Sequence, residues 1–192
     1  MRQIARMHRV VVASACVLLS SVAHAQSADP RAAMEAMKRS AQLAMMPMRW
    51  LVGEWEGPAS ITVAPGNVMT LTQHETVRDG AFATALFIQG RGSMNAGASE
   101  HVVFEAAGLF AYDATRKQFL FMSSGGNGAA GLHESSVSGS TLTWSFVDGS
   151  GAKTRYIISR TPDDKWYEVG AVSRDDGATW TKNFEMTLVR KQ

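Results

Sequence analysis

A tryptophan near the start of the β-rich part of the chain and an arginine at its end constrain the fold most strongly. Trp55 follows Gly53 at the opening of one alternating segment, and Arg190 closes another, two residues from the C-terminus. In a closed antiparallel barrel the first and last strands are neighbours, so an indole can cover one mouth while a guanidinium stacks on it. Such a cation–π contact contributes about 0.5–2 kcal/mol. Gly53, Trp55 and Arg190 therefore form the predicted structural signature that joins the first and last strands of a barrel.

The chain after residue 50 alternates apolar and polar residues with a period of two, which is typical of half-buried strands. In the clearest segment, Leu142, Trp144 and Phe146 share one face. Short turns rich in Gly, Asp and Ser separate the segments. With a single helix, this pattern predicts an all-β protein, a closed antiparallel meander barrel of about ten strands preceded by one N-terminal α-helix. The predicted strands lie near residues 54–63, 68–77, 81–90, 101–112, 117–123, 131–137, 141–146, 152–160, 165–172 and 181–190.

Residues 29–48 carry the pattern of an amphipathic helix. Asp29 is suited to the N-cap and Pro30 to the first helical position. Pro47 makes continuation of the helix unfavourable. Apolar residues recur at spacings of three and four and predict one buried stripe, whose members are Met34, Met37, Ala41, Ala44, Met45 and Met48.

The first 25 residues have the three regions of a secretory signal peptide. Three arginines form a basic region, residues 10–21 an apolar one, and residues 23–25 (AHA) a small-x-small cleavage site. We predict cleavage after Ala25 and a periplasmic or secreted location. The expected parts are a signal peptide at 1–25, an N-terminal helix segment at 26–50 and a barrel domain at 51–192. The alternative, a lipoprotein acylated at Cys16, is disfavoured by the poor lipobox before that residue.

Removal of the signal changes the charge. The full chain has 19 Lys and Arg residues against 17 Asp and Glu; Arg2, Arg6 and Arg9 leave with the signal, so 16 basic residues remain and the net charge becomes −1. This balance does not indicate a nucleic-acid partner. No later segment has the ~18 consecutive apolar residues of a spanning helix, so we predict no membrane insertion of the mature chain. Cys16 is the only cysteine, so no disulfide is expected.

Two polar residues in the second predicted strand are candidates for contacts to a ligand. Gln73 and Glu75 share parity with the apolar residues of that strand. If this face points into the barrel, two polar groups enter an apolar cavity, as a small-molecule site requires. The opposite register would turn His74 inward instead. Together with the aromatic residues Trp144 and Tyr156, Gln73 and Glu75 form the predicted ligand-binding set.

The remaining motifs are interpreted as structural. Residues 173–180 match an Asp-box, S-x-D-x-G-x-T-W, and a single copy predicts a hairpin turn. Residues 126–131 spell G-x-G-x-x-G but lead into a strand, which predicts a loop at a barrel mouth rather than a dinucleotide site. Residues 45–48 (MMPM) offer soft ligands for Cu(I), although packing of the helix is favoured. His74, His101 and His133 lack metal-binding spacing, so no metal site and no catalytic residue is assigned.

The Gly-x-Trp and arginine pairing resembles the signature of calycins, which include lipocalins, fatty-acid-binding proteins and nitrobindins. More specifically, the chain resembles a bacterial family of exported proteins, domain of unknown function fifteen seventy-nine. The resemblance implies a calycin-like barrel with no catalytic residues to transfer. It rests on residues 51–57 (LVGEWEG), 111–113 (AYD), 173–180 (SRDDGATW) and 184–190 (FEMTLVR). Nitrobindin-like haem proteins resemble the chain more distantly, and the absence of histidine after residue 133 argues against a haem cofactor.

Three functions follow from this reading. We favour an exported barrel that binds a small, mainly apolar ligand, since barrels of eight or more strands can hold one small molecule. The second is a small isomerase or hydrolase with Glu75 or His74 as general base. The third is an interaction module whose interior is filled by its own side chains, namely Phe82, Leu86, Trp144, Tyr156, Trp166 and Phe184.

Overall fold

A computed structural model describes residues 29–96 and 99–192. The predicted signal peptide at 1–25 and the first residues of the helix segment lie outside the described residues. Ten strands close into one antiparallel barrel, in which each strand pairs with its neighbour in sequence and the last pairs with the first. This confirms the predicted all-β meander barrel. The strands are β1 Gly53–Ala64, β2 Asn67–Gly80, β3 Ala85–Ala96, β4 Ser99–Asp113, β5 Gln118–Gly125, β6 Ala130–Ser138, β7 Thr141–Val147, β8 Lys153–Arg160, β9 Trp166–Ser173 and β10 Thr181–Arg190.

The N-terminal helix α1 spans Pro30–Met45 and continues as a 3₁₀ helix over Met46–Leu51. Its start is the predicted one, because the Asp29 side chain accepts a hydrogen bond from the backbone N–H of Arg31 at 3.0 Å. Its end is three residues earlier than predicted, because the tighter helix begins before Pro47. The predicted stripe is wrong in its first half: Met34 is 65% exposed, and Met37 is exposed as well.

The second half of the stripe covers the end of the barrel at which β1 begins and β10 ends, called here the closed end. Met45, Met48 and Leu51 are buried there in the same core as Trp55 and Leu188. Burial of Met45 and Met48 agrees with a packing role for the methionines at 45–48, and the intervening Met46 is exposed. The helix thus supplies the apolar side chains that seal the closed end.

Three tryptophans form the floor of the barrel above these residues. Trp50, Trp55 and Trp166, called here the tryptophan triad, meet edge to face with ring centroids 5.9, 5.9 and 6.2 Å apart. Trp55 and Trp166 are fully buried. The Trp55 indole N–H donates to the carbonyl oxygen of Leu51 at 2.7 Å, so its one polar atom is satisfied.

Arg190 joins the two ends of the sheet across this floor. Its guanidinium carbon lies 4.2 Å from the centroid of the Trp55 ring. The same guanidinium donates to the carbonyl oxygens of Trp50, at 2.6 Å, and of Val52. Gly53 has a φ of +133°, and a Cβ at this position would collide with the arginine. These contacts give a structural reason for each of the three residues of the predicted signature.

The turns follow the predicted chemistry with one exception. In the Asp-box, the Asp175 carboxylate accepts hydrogen bonds from the backbone N–H and the hydroxyl of Thr179, at 2.8 and 2.5 Å. Gly177 has a φ of +96°, as the predicted hairpin turn requires. The prediction that the third strand begins at residue 81 is wrong. A short turn with positive φ values occupies Ala81–Ala83, and Phe82 is 82% exposed there.

Trp55→Ala is expected to lower the free energy of unfolding by about 3–5 kcal/mol, as other large-to-small core substitutions do. Arg190→Ala should cost less, and a double-mutant cycle should show coupling because the two side chains are in contact. Chemical denaturation of the four proteins measures both quantities. Arg160→Ala serves as the control, since this arginine pairs with Asp164 at the same end and should act additively with Trp55→Ala. If the effects of Arg190→Ala and Trp55→Ala on the free energy of unfolding add, the contact between these two side chains does not have the closing role.

Candidate ligand-binding cavity

The barrel is hollow above the tryptophan triad. A cavity of about 1050 Å³ extends from Trp166 to the loops at the opposite, open end, including the glycine-rich loop at 126–131 and the Asp-box turn. The filled interior of the third functional class is therefore not observed. Of its six proposed fillers, Phe82 lies outside the barrel, Leu86 belongs to the buried core, and the others line the cavity. These four are Trp144, Tyr156, Trp166 and Phe184.

Gln73 and Glu75 face the interior, in the register that the sequence analysis favours. Both are buried, with Glu75 8% exposed, and the Gln73 amide donates to Glu75 Oε1 at 2.7 Å. Glycines on the neighbouring strand leave room for them. A Cβ at Gly90 would lie 2.6 Å from Glu75 Oε1, and one at Gly92 would lie 2.9 Å from Gln73 Oε1. The polar pair therefore occupies a notch in the wall of β3.

A second buried carboxyl group, which the sequence analysis did not single out, faces the same cavity. Glu168 on β9 is 7% exposed, and its Oε2 accepts a hydrogen bond from the Trp166 indole N–H at 3.2 Å. The alternation of β9 could have predicted the inward direction of Glu168, because this residue shares a face with buried Trp166. The closeness of Glu168 to β2 could not be predicted, because β2 and β9 are separated in the sheet by β1 and β10.

Burial controls the protonation of this acid pair, Glu75 and Glu168. Burial raises the pKa of Glu75 from 4.5 to about 7, against the opposing hydrogen bond from Gln73. Burial and the charge of Glu75 raise the pKa of Glu168 from 4.5 to about 8. Such interacting groups titrate as a pair. Because charging both is costly in this environment, at least one carboxyl group holds a proton at neutral pH.

Aromatic rings form another part of the cavity wall. Trp144 stacks on Tyr156 with centroids 4.5 Å apart and an interplanar angle of 13°, and Phe121 lies 4.6 Å from Trp144. Burial and the charge of Glu168 raise the pKa of Tyr156 to about 12, so its hydroxyl stays protonated at neutral pH. The structure thus brings all four predicted ligand-binding residues to one cavity. Their contact with a ligand stays a prediction.

The histidines fall in different environments. His74 points outward from β2, where its Nδ1 lies 3.4 Å from Glu56 Oε2, so its proposed role as a general base in the cavity is wrong. His101 is exposed on β4. His133 lines the cavity, with its Nε2 2.7 Å from the Ser123 hydroxyl. Burial lowers the pKa of His133, which favours the neutral imidazole at pH 7.

Polar groups without partners collect on the lining. Among the described residues, four buried side-chain polar atoms lack a hydrogen-bond partner, and three belong to residues of the cavity wall. These three are Trp144 Nε1, Arg155 Nε and Asn183 Oδ1. Buried polar groups are usually paired, so these three atoms are exceptions among the residues of the cavity wall. Arg155 lies near the open end, where its guanidinium carbon is 4.1 Å from the Trp180 ring centroid.

No protein-family model matches the chain, and no curated protein matches its sequence. Its fold is similar to the crystal structure of Rv2717c from M. tuberculosis, with a TM-score of 0.53 and 12% sequence identity. The match covers 79% of this chain and 98% of the other. At this identity the likeness shows the barrel fold alone. In the described part of the chain, no helix combines the length and the apolar character needed to cross a bilayer.

The acid pair predicts a pH-dependent stability. The folded protein binds more protons than the unfolded chain between the ordinary pKa of 4.5 and the raised values of about 7 and 8. Its stability is therefore greatest at low pH in this window and falls as the pH rises through 7 and 8. Between pH 5 and 9, the loss in the free energy of unfolding should be smaller for Glu75→Gln and for Glu168→Gln than for the native protein, in each case by on the order of 1–3 kcal/mol.

Urea denaturation at a series of pH values measures this difference. Glu105→Gln is the matched control, because this glutamate is exposed on β4 and its curve should run parallel to that of the native protein. Parallel curves for the two buried variants would show that neither carboxyl group has a raised pKa in the folded state.

Proposed function

We propose that the protein binds a small, mainly apolar ligand inside the barrel. The observation that carries this proposal is a cavity of about 1050 Å³ in which aromatic rings face a few buried polar groups. Ligand sites typically have this size and this division between apolar lining and sparse polar groups. Among the described residues, the cavity opens on the side of the glycine-rich loop and the Asp-box turn, which suits a binding barrel of the calycin kind.

We further propose that the chain is an exported member of the family of unknown function that it resembles. Support comes from the arrangement of the signal-like residues 1–25 and from the signature Gly53, Trp55 and Arg190, whose contacts close the barrel. Cleavage after Ala25 would place the barrel in the periplasm or outside the cell.

An enzymatic role is the second candidate, and the buried acid pair is the observation that favours it. A carboxyl group with a pKa of about 7 can exchange a proton near neutral pH. Glu75 is thus suited to the general base of an isomerase or hydrolase, with protonated Glu168 as the acid. We rank binding first, because neither carboxyl group is hydrogen-bonded to a nucleophilic side chain among the described residues.

Haem is the cofactor weighed for a barrel of this kind. His133 is the described histidine on the cavity wall, but its Nε2 is engaged with Ser123, and its ring packs between Trp144 and Phe146 at centroid distances of 5.1 and 5.4 Å. This packing fits axial ligation to iron poorly. We therefore predict no specific haem complex after mixing with haemin. A Soret band that survives gel filtration and disappears in His133→Ala would contradict this.

The binding proposal predicts that a neutral apolar fluorophore with one N–H group, N-phenyl-1-naphthylamine, enters the cavity with one-to-one stoichiometry. Replacing Gln73 or Glu75 by Leu removes a polar group that orients the probe, and should weaken binding by about 1–3 kcal/mol. Fluorescence titration measures the dissociation constants, and a lipid extract of the native host should compete.

Thr76→Leu is the control, since Thr76 lies on the outward face of the same strand beside Glu75. It should leave the affinity unchanged. Equal affinities for the native protein and for both inward variants would place the probe outside the barrel and contradict the proposal.

A further inference from the structure

We propose that the ligand carries a positively charged amine and that Glu75 and Glu168 receive this group at the base of the cavity. This inference rests on the proposed binding function and specifies its ligand as an amphipathic organic cation. The ammonium group would lie between the two carboxyl groups, and the apolar part would extend along the aromatic wall toward the open end.

The placement of the two carboxyl groups supports this arrangement. Glu75 is the cross-strand partner of Trp55, and Glu168 follows Trp166 by two residues on the same face of β9. Both therefore lie just above the tryptophan triad, at the deepest part of the cavity. The negative charge of Glu75 raises the pKa of Glu168, and the negative charge of Glu168 raises the pKa of Tyr156. The three groups therefore lie near one another on the lining of the cavity.

The described residues supply no counter-ion to the acid pair. Among the described residues, neither Glu75 nor Glu168 forms an ion pair with lysine, arginine or histidine, and no cation contributes to either raised pKa. Each makes one described side-chain hydrogen bond through one oxygen, at 2.7 and 3.2 Å, which leaves the other oxygen to accept from a ligand. Buried carboxyl groups without a partner are costly, so a ligand cation would relieve an existing penalty.

The remaining chemistry of the cavity disfavours an anion at this depth. The lining cations, Lys153 and Arg155, stand at the open end, where Lys153 pairs with Asp176 at 2.6 Å and Arg155 covers Trp180. A carboxylate at the base would meet two acidic groups instead. An ammonium group there would also lie near the rings of Trp166 and Tyr156, and aromatic faces attract cations.

Space for the Glu75 carboxylate is built into β3. Gly90 is the cross-strand partner of Glu75, and any side chain at this position would meet both carboxylate oxygens, at 2.6 and 3.0 Å. On the neighbouring strands, β1 contributes Trp55, β10 contributes Met186, and β8 contributes Tyr156 and Ile158. The cation Arg190 of β10, the cross-strand partner of Trp55, is engaged by the Trp55 ring and by two backbone carbonyl oxygens and contributes to neither raised pKa. The titratable groups that face the site are thus Glu75, Glu168 and Tyr156, with His133 across the cavity.

Three probes with the same ten-carbon chain separate the head-group chemistry from apolar binding: decylamine, decanol and decanoate. Calorimetric titration below micelle-forming concentrations should give the tightest binding for decylamine, by at least about tenfold over decanol, and the weakest for decanoate. Decylamine affinity should rise between about pH 6 and 9, because binding releases protons from the acid pair. Decanol affinity should not change.

Glu75→Gln and Glu168→Gln should each remove most of the preference for decylamine and its pH dependence, while decanol still binds. Glu105→Gln, on the outer surface, is the control and should retain both. If the three probes bind equally, or if decanoate binds best, the cation proposal is wrong and apolar binding in the barrel stands. If none of the three binds, both the cation proposal and the proposed function are overturned.

Discussion

The contact between Arg190 and Trp55 is the interaction on which the rest of the barrel depends. A ten-strand sheet closes only if its first and last strands meet, and here the guanidinium fixes that meeting through the indole face and two carbonyl oxygens. Because the carbonyl groups belong to Trp50 and Val52, the same contact holds the segment that links the helix to β1. One side chain therefore joins the end of the chain, the start of the sheet and the covering helix.

Closure at one end allows the interior to stay hollow. The free energy of burial is concentrated at the closed end, where the tryptophan triad packs on Met45, Met48 and Leu51. Toward the open end the aromatic rings line space instead of filling it. A stable floor makes it possible to bury two carboxyl groups above it, although each raises the free energy of the folded state when charged. A costly group retained in a cavity is a reason to expect a function there.

Much of this architecture can be predicted from the sequence, because period-two alternation, turn residues and the Gly53–Trp55–Arg190 signature are local or terminal features. Parity puts Gln73 and Glu75 on one face of β2 and His74 on the other, and the tendency of the apolar residues on the first face to be buried favours its inward direction. Glu168 was missed because its closeness to Glu75 depends on how far strands are staggered around a closed barrel, which no single strand encodes. Met34 was misjudged because periodicity identifies the apolar face of a helix but not where the covering surface ends.

Direct titration of the buried carboxyl groups tests the central claim, that two glutamates lie at the base of the cavity with no counter-ion among the described residues. With ¹³C-labelled glutamate side chains, nuclear magnetic resonance should resolve two carboxyl signals that titrate near pH 7 and 8. Each should be absent from the corresponding Gln variant, and both should shift to lower pKa when decylamine is bound. If every glutamate titrates near its ordinary value of 4.5, the acid pair is solvated and the account of the cavity is wrong.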